Sequence, residues 1–355
     1  MAVRPLPAGE LDRLEFRYRD HSRTVTRVRL LHELPRPRAV DFERVRPPGS
    51  WLLRFHRPDS DRLEYQLELT RRDGTVEVVC DPMNPLRAPG PFGEKSVLEF
   101  RGYRAPEWLD EDAPPGEIEA VAIESRTLRT TLDVPIWTAT GGSPGERLPL
   151  LVVHDGPEYT AYSALLRYLD AAWADGRVPT MRAALLPPPG NRNETYSASA
   201  RYSRALVQDI LPALAEAAPA PAGRLRVGMG ASLGALALLH THRLHRQSFG
   251  ALFLQSGSFF RQRFDPQESE FVRFRRISRF VGEVLAGKGW FEPVPITMTC
   301  GTAEENLANN RAVARALAKQ RYDVSLHVHR DAHSWVGWRD AFDPHLVDLL
   351  QLVWG

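Results

Sequence analysis

The alternation of apolar and polar positions divides the chain into two parts with different grammars. Up to about residue 115, apolar residues come in short runs. Val25 to Leu31 and Trp51 to Phe55 have the length of strands, and Leu63 to Leu69 alternates apolar and polar residues at period two, as a strand with one buried face does. Asp73-Gly74 followed by Val76 to Cys80 predicts a hairpin. Pro82, Pro85, Pro89 and Pro91 then break the pattern into loops. These features predict a small N-terminal β-sandwich over 1–115. The acidic, proline-rich stretch 105–116 reads as a linker.

A second domain is expected over 120–355. Leu148 to Val153 is a continuous apolar run, the pattern of a strand buried on both faces. Further strands are expected at Met181 to Leu186, Leu225 to Met229, Ala251 to Gln255, Ile296 to Cys300 and Leu326 to His329. Helical spacing is seen at Tyr159 to Trp173, Tyr202 to Ala217, Ala235 to His245 and Asn306 to Arg321. Strands alternating with helices predict an α/β fold, a mostly parallel sheet with helices on both faces.

Composition narrows the function classes. The net charge of +2 comes from 46 basic and 44 acidic residues, a balance that argues against a nucleic-acid partner. Only Lys95, Lys288 and Lys319 are lysines, a bias of composition rather than a binding surface. Cys80 and Cys300 form no CxxC pair, so neither a disulfide scaffold nor a structural metal site is expected. Charges interrupt Met1 to Asp20, and no run approaches the roughly 20 apolar residues of a membrane span. A soluble, cytoplasmic protein without membrane association or cofactor is expected.

The chemistry concentrates at Gly230-Ala231-Ser232-Leu233-Gly234. A bare G-x-S-x-G occurs by chance in roughly one chain in ten of this length. Here a strand ends at the motif and a helix begins directly after it, which is the setting a nucleophile elbow requires. A tightly packed glycine-rich connection is the competing reading. A serine hydroxyl needs a base, and the expected chain order is serine, acid, histidine. Of eleven histidines, His333 lies just past the last predicted strand, where a base can face the end of the sheet. His327 and His329 lie within that strand and read as structural. His240, His242 and His245 do not share one helix face, so a metal site is not expected. Glu304 and Glu305 both follow Ile296 to Cys300. Glu304 is favoured as the acid because Glu305, nearer the helix start, can serve as a cap. Asp331 and Asp323 are less well positioned.

With these motifs in order, the sequence resembles the enterochelin esterase and esterase D-like branch of the α/β-hydrolases. The likeness covers most of 120–345. It rests on Leu151 to Gly156, Asp209-Ile210-Leu211-Pro212, Gly230 to Gly234, Phe249-Gly250-Ala251, Gln255-Ser256-Gly257-Ser258, Gly301 to Asn310, Ala332 to Trp335 and Trp338-Arg339. Tyr65 and Asp81 to Pro85 match the β-sandwich that precedes the catalytic domain in ferric-siderophore esterases. The resemblance implies Ser232 as nucleophile, His333 as base and Glu304 as acid. It implies an oxyanion hole made by the N–H of Leu233 and one from the loop after His154-Asp155-Gly156. Pro157 has no N–H, so Glu158 is the expected second donor. Losing such a donor costs about 3 kcal/mol of transition-state stabilisation. Arg192 and Glu194 fall where the family's substrate loop lies, and a solvated turn is the other reading for them.

A serine esterase working through an acyl-enzyme is therefore expected, with a siderophore ester as the substrate that the resemblance implies. Acyl transfer or general carboxylesterase activity is the alternative. A non-catalytic ligand-binding protein that keeps the fold is a further reading, from a different class. Between Ser258 and Trp290, six arginines interleave with six phenylalanines. That segment suits either an anionic aromatic ligand or an amphipathic insertion with a charged outer face. The oligomeric state is left open.

Overall fold

The computed structural model describes residues 13–143, 145–221, 226–289 and 292–355. The chain forms two compact units. One is Met1–Arg104 with Gly301–Glu305 and His329–Gly337, and the other is Ala105–Cys300 with Asn306–Val328 and Trp338–Gly355. The division differs from the sequence expectation in two respects. The second unit begins at Ala105, and two loops from far along the chain group with the first.

In the first unit, β1 (Arg13–Arg19), β5 (Ser50–His56) and β4 (Glu43–Val45) form one antiparallel sheet. β3 (Ala39–Asp41), β2 (Val25–His32), β6 (Arg62–Arg71), β9 (Lys95–Glu99) and β8 (Arg87–Ala88) form the other, with β7 (Val76–Val79) also paired to β6. The period-two alternation of β6 does what the pattern requires: Leu63, Tyr65, Leu67 and Leu69 are buried while Glu64, Gln66 and Glu68 are not. They join Phe16, Val28, Leu30, Trp51 and Leu53 from both sheets in one core, and Ala303 and Ala332 join that core too. The Tyr65 hydroxyl donates to Asp81 (2.8 Å) and accepts from Asn84 (3.2 Å), which pins the Asp81–Pro85 turn to β6.

The second unit carries an eight-stranded sheet in the order β10-β11-β13-β12-β14-β15-β16-β17. These strands are β10 (Glu117–Ser125), β11 (Thr130–Thr138), β12 (Leu150–His154), β13 (Arg182–Leu186), β14 (Val227–Ala231), β15 (Ala251–Gln255), β16 (Ile296–Gly301) and β17 (Val324–His329). Every residue of β12 to β16 is buried, as the continuous apolar runs predict. Leu225 of the predicted strand 225–229 lies outside the described residues. The helices are α1 (Gly156–Ser163), α2 (Leu165–Ala174), α3 (Arg192–Tyr196), α4 (Ala200–Ala205), α5 (Leu211–Ala217), α6 (Leu233–Leu244), α7 (Phe274–Leu285), α8 (Leu307–Lys319), α9 (Trp335–Asp340) and α10 (His345–Trp354).

Three features depart from the sequence reading. The hairpin β10–β11 adds an antiparallel edge to an otherwise parallel sheet. The burial rule missed it because β10 is mostly exposed. The proline-rich stretch 105–116 is anchored rather than free: Trp108 is buried edge-on against Tyr168 at 5.0 Å. The predicted helices 159–173 and 202–217 are each interrupted. The first breaks at Ala164, whose φ is 50°. The second carries a π turn at Leu206–Ile210 just before Pro212, which has no N–H to continue the ladder.

Candidate active site

Two groups of residues carry chemistry, one in each unit. In the second, β14 ends at Ala231, Ser232 takes φ 55° and ψ −119°, and α6 begins at Leu233. This strained conformation raises the serine out of the strand line and is tolerated only because its surroundings enforce it. A Cβ at Gly230 would lie 2.9 Å from the Gly234 carbonyl carbon, so the turn closes only with glycine there. Ser232 N–H donates to Gln255 O (2.9 Å), and the Ser232 carbonyl accepts from Ser258 N–H (3.1 Å). The Ser232 and Ser258 hydroxyl oxygens are 3.0 Å apart. Leu233, the first residue of α6, has an N–H with no partner inside its own helix.

On the neighbouring strand, His154 ends β12 and Asp155, with φ 54°, caps α1. What the sequence suggested was a loop is the start of a helix. Tyr159 N–H already bonds Asp155 O (2.9 Å), and Pro157 sits in the first turn, where a missing N–H costs nothing. Glu158 stands in the same first turn, so its N–H is among the donors a helix start leaves over. Its carboxyl is half-buried, and burial raises its pKa against the pull of its own N–H, with Asp155's charge adding to the rise. The Glu158 Oε2 is buried without a hydrogen-bond partner.

Arg192 forms a bidentate pair with Asp155 (2.8 and 2.6 Å). The Asp155 carboxylate is 2% exposed. Its Oδ2 lies where a Cβ at Gly234 would come within 3.2 Å, so this pair buttresses the elbow from beneath. Glu194 pairs with Arg273 (2.6 Å) and Arg276 (3.3 Å), tying α3 to α7. Both proposed substrate residues thus have protein partners. His154 belongs to the same cluster but is no base. Burial drives its pKa to about 3, and its Nε2 shares a hydrogen bond with the Tyr202 hydroxyl at 2.7 Å. His240 and His242 are pushed by burial to about 4 and bond Ser203 Oγ and Glu292 O. In the segment after Ser258, Phe259, Phe260, Phe274 and Phe280 are buried in the core while Arg273, Arg275 and Arg279 are exposed. That is the amphipathic insertion with a charged outer face. Phe264 differs, being 66% exposed with the Arg261 guanidinium over its ring. Trp290 lies outside the described residues.

The first unit holds a buried carboxylate paired with a histidine. His333 Nδ1 is 2.8 Å from Glu304 Oε2, and the other Glu304 oxygen accepts the Gly301 N–H at 2.7 Å. The Glu304 side chain is 1% exposed. With an ionised carboxylate on Nδ1, the ring carries its proton there and presents Nε2 as the basic nitrogen. Glu305 turns the other way, accepting from Arg36 N–H (2.8 Å) and the Arg38 guanidinium (3.0 Å). The two loops are zipped together by Thr302 N–H to His329 O (2.8 Å) and Ala303 N–H to Asp331 O (3.1 Å). The sandwich holds them through Asp61 N–H to Arg330 O (2.7 Å) and through buried Arg62, 3.6 Å from Asp331. Sequence reasoning did not single out Ser258, Asp155 or Arg62. Ser258 and Asp155 lay within motifs quoted for the resemblance, but Arg62 gave no signal.

The sheet order, with its antiparallel hairpin at one edge and its strand–serine–helix elbow at the centre, defines the α/β-hydrolase class. A family model described as "Putative esterase" matches residues 135–349, more than half of the chain, and the chain belongs to that esterase family. It is an ester hydrolase. Its curated relatives include the Iron(III) enterobactin esterase of Escherichia coli O6:H1, 25% identical over 304 residues, covering 84% of this chain and 73% of that protein. The Iron(III) enterobactin esterase of Dickeya dadantii is 26% identical over 239 residues, 64% of this chain and 54% of that one. Among solved structures, the ferric enterobactin esterase of Salmonella typhimurium superposes with a TM-score of 0.77 at 20% identity, covering 96% of this chain and 94% of that one. The Shigella flexneri enterobactin esterase, solved in the presence of enterobactin, gives 0.74 at 21% identity over the same shares. These superpositions share the fold with both units of the chain. Among the described residues, no helix is long and apolar enough to cross a membrane.

Proposed function

We propose that this chain is a serine esterase that cleaves the ester bonds of a siderophore, with Ser232 as nucleophile, His333 as general base and Glu304 as the acid that orients it. His333 Nε2 takes the Ser232 proton as Oγ bonds the ester carbonyl carbon, and the carbonyl oxygen becomes an oxyanion facing the N–H groups of Leu233 and Glu158. Collapse breaks the C–O bond, and the leaving alkoxide takes the proton from His333. Water, activated by the same base, then releases the acyl group and restores Ser232. The carrying observation is the 2.8 Å bond between His333 and Glu304, since a serine is inert without an oriented base.

The siderophore reading is supported by the relatives at 25 and 26% identity, both named enterobactin esterases. In this reading Arg192 and Glu194 hold α3 in place through their pairs with Asp155 and with Arg273 and Arg276. A cytoplasmic site of action is part of the proposal. Among the described residues neither Cys80 nor Cys300 is in a disulfide, which suits a reducing compartment, and fractionation of cells tests it. For the substrate, purified protein is offered a ferric trilactone siderophore beside short-chain aryl esters. Cleavage of the trilactone that disappears in Ser232→Ala is expected. Cleavage of aryl esters alone would leave a general carboxylesterase, and full activity in Ser232→Ala would remove the nucleophile.

A further inference from the structure

We propose that Ser258 is a positioning residue for the reaction, its hydroxyl donating to Ser232 Oγ before and during proton transfer. This rests on Ser232 being the nucleophile. The two oxygens are 3.0 Å apart, and either could donate. Ser232 has one proton, which must leave for the base, so the arrangement compatible with turnover has Ser258 as the donor. Its proton then lies on a lone pair of Ser232 Oγ, orients the rotor, and stays in place as negative charge grows on that oxygen. No proton leaves Ser258 at any step. The Ser232 proton goes to the base and then to the leaving alkoxide.

The backbone around Ser258 is built to hold that hydroxyl. Ser256 sits at φ 48°, a left-handed conformation unfavourable for serine. It is kept there by its N–H to Thr299 O (2.8 Å) and by Trp338 Nε1, which donates to its Oγ at 3.0 Å. Gly257 is clamped on both sides by the buried amide of Asn310, which accepts its N–H and donates to its carbonyl, each at 3.0 Å. A side chain on Gly257 would strike the Phe259 ring at 2.2 Å. Ser258 itself is 3% exposed, and its N–H bonds the Ser232 carbonyl, so backbone and side chain of one residue both grip the nucleophile. A hydroxyl placed at this cost in backbone strain, and aimed at the reacting oxygen, has a role that space-filling does not explain.

The test compares Ser258→Ala, Ser258→Cys and Ser258→Thr. Cysteine fills the space but donates weakly, whereas threonine keeps the hydroxyl. We expect kcat and kcat/KM of the Ala and Cys variants to fall together by about tenfold or more, with KM within about twofold and fluorophosphonate labelling slowed by the same factor. Threonine should recover part of the rate. Wild-type kcat in Ser258→Ala, full recovery in Ser258→Cys, or a change confined to KM would overturn the proposal. If Ser258→Ala does not fold, the Cys and Thr pair carries the comparison. Ser232→Ala is run alongside. If it retains activity, the nucleophile assignment fails, and if only the Ser258 variants behave as wild type, this inference alone fails.

Discussion

The elbow serine and the histidine–glutamate pair are held in opposite ways. Ser232 sits in a stretch of consecutive residues, shaped by its own backbone, by Gly230 and by strands buried on both faces. Glu304 and His333 are 29 residues apart, in two loops whose anchors are Arg36, Arg38, Asp59, Asp61 and Arg62 of the N-terminal sandwich. The first arrangement is local and depends on backbone conformation. The second is non-local and depends on side chains from a part of the chain more than 200 residues away in sequence. Damage to the sandwich should therefore reach His333 and Glu304 while leaving the elbow intact.

The largest effect expected is at the centre of each half. Ser232→Ala and His333→Ala should each lower kcat by up to about 10⁶-fold, and the double variant should be no worse than either alone, because the residues act as a unit. Full additivity in steady-state kinetics would separate them. Next, Glu304→Gln should cost on the order of 10³ to 10⁴ in kcat by losing the carboxylate that orients the ring. Glu305→Gln should stay within about twofold, since that carboxylate pairs with the surface residues Arg36 and Arg38. Equal losses at the two positions would contradict the geometry.

Arg62→Met removes a buried guanidinium that stands 3.6 Å from Asp331 and 3.4 Å from Glu64, which should cost up to about 3–5 kcal/mol of stability in the unit that holds His333. Denaturant unfolding should show that loss, and activity assayed under native conditions should fall through kcat. A smaller effect concerns pH. His154, His240 and His242 are buried neutral, with folded pKa values depressed to about 3 or 4. Below the unfolded value near 6.5 the unfolded chain binds the extra protons. Stability should therefore fall as pH drops from about 6.5 towards 4, by up to about 1.4 kcal/mol per pH unit for each histidine. A thermal midpoint that does not decline over that range, or a slope unchanged in His240→Gln, would count against it. Smallest of all, Arg330→Ala removes exposed pairs with Asp59 and Asp61 and should cost less than about 1 kcal/mol.

Much of this was legible in the linear pattern. The period-two run at 63–69 and the unbroken apolar runs at 148–153 and 251–255 became the strands they predict, because burial on one face or on two imposes those patterns directly. The hairpin β10–β11 was not legible. An edge hairpin that buries little carries little apolar signal. Nor was the helical start at Gly156, since Pro157 reads as a loop until its place in the first turn is known.

For the site, sequence alone determined the elbow at Ser232, the candidate base His333 and two neighbouring glutamates, because chain order and strand–helix alternation are properties of the linear pattern. Only the tertiary structure shows which glutamate bonds the histidine. Glu304 is buried against His333 and Glu305 faces Arg36 and Arg38, a choice made by which way one turn of loop faces a sandwich built from the other end of the chain. The partners of Asp155, Glu194 and Asp331 were decided in the same way. An ion pair between distant segments follows from packing, and packing has no period in the sequence.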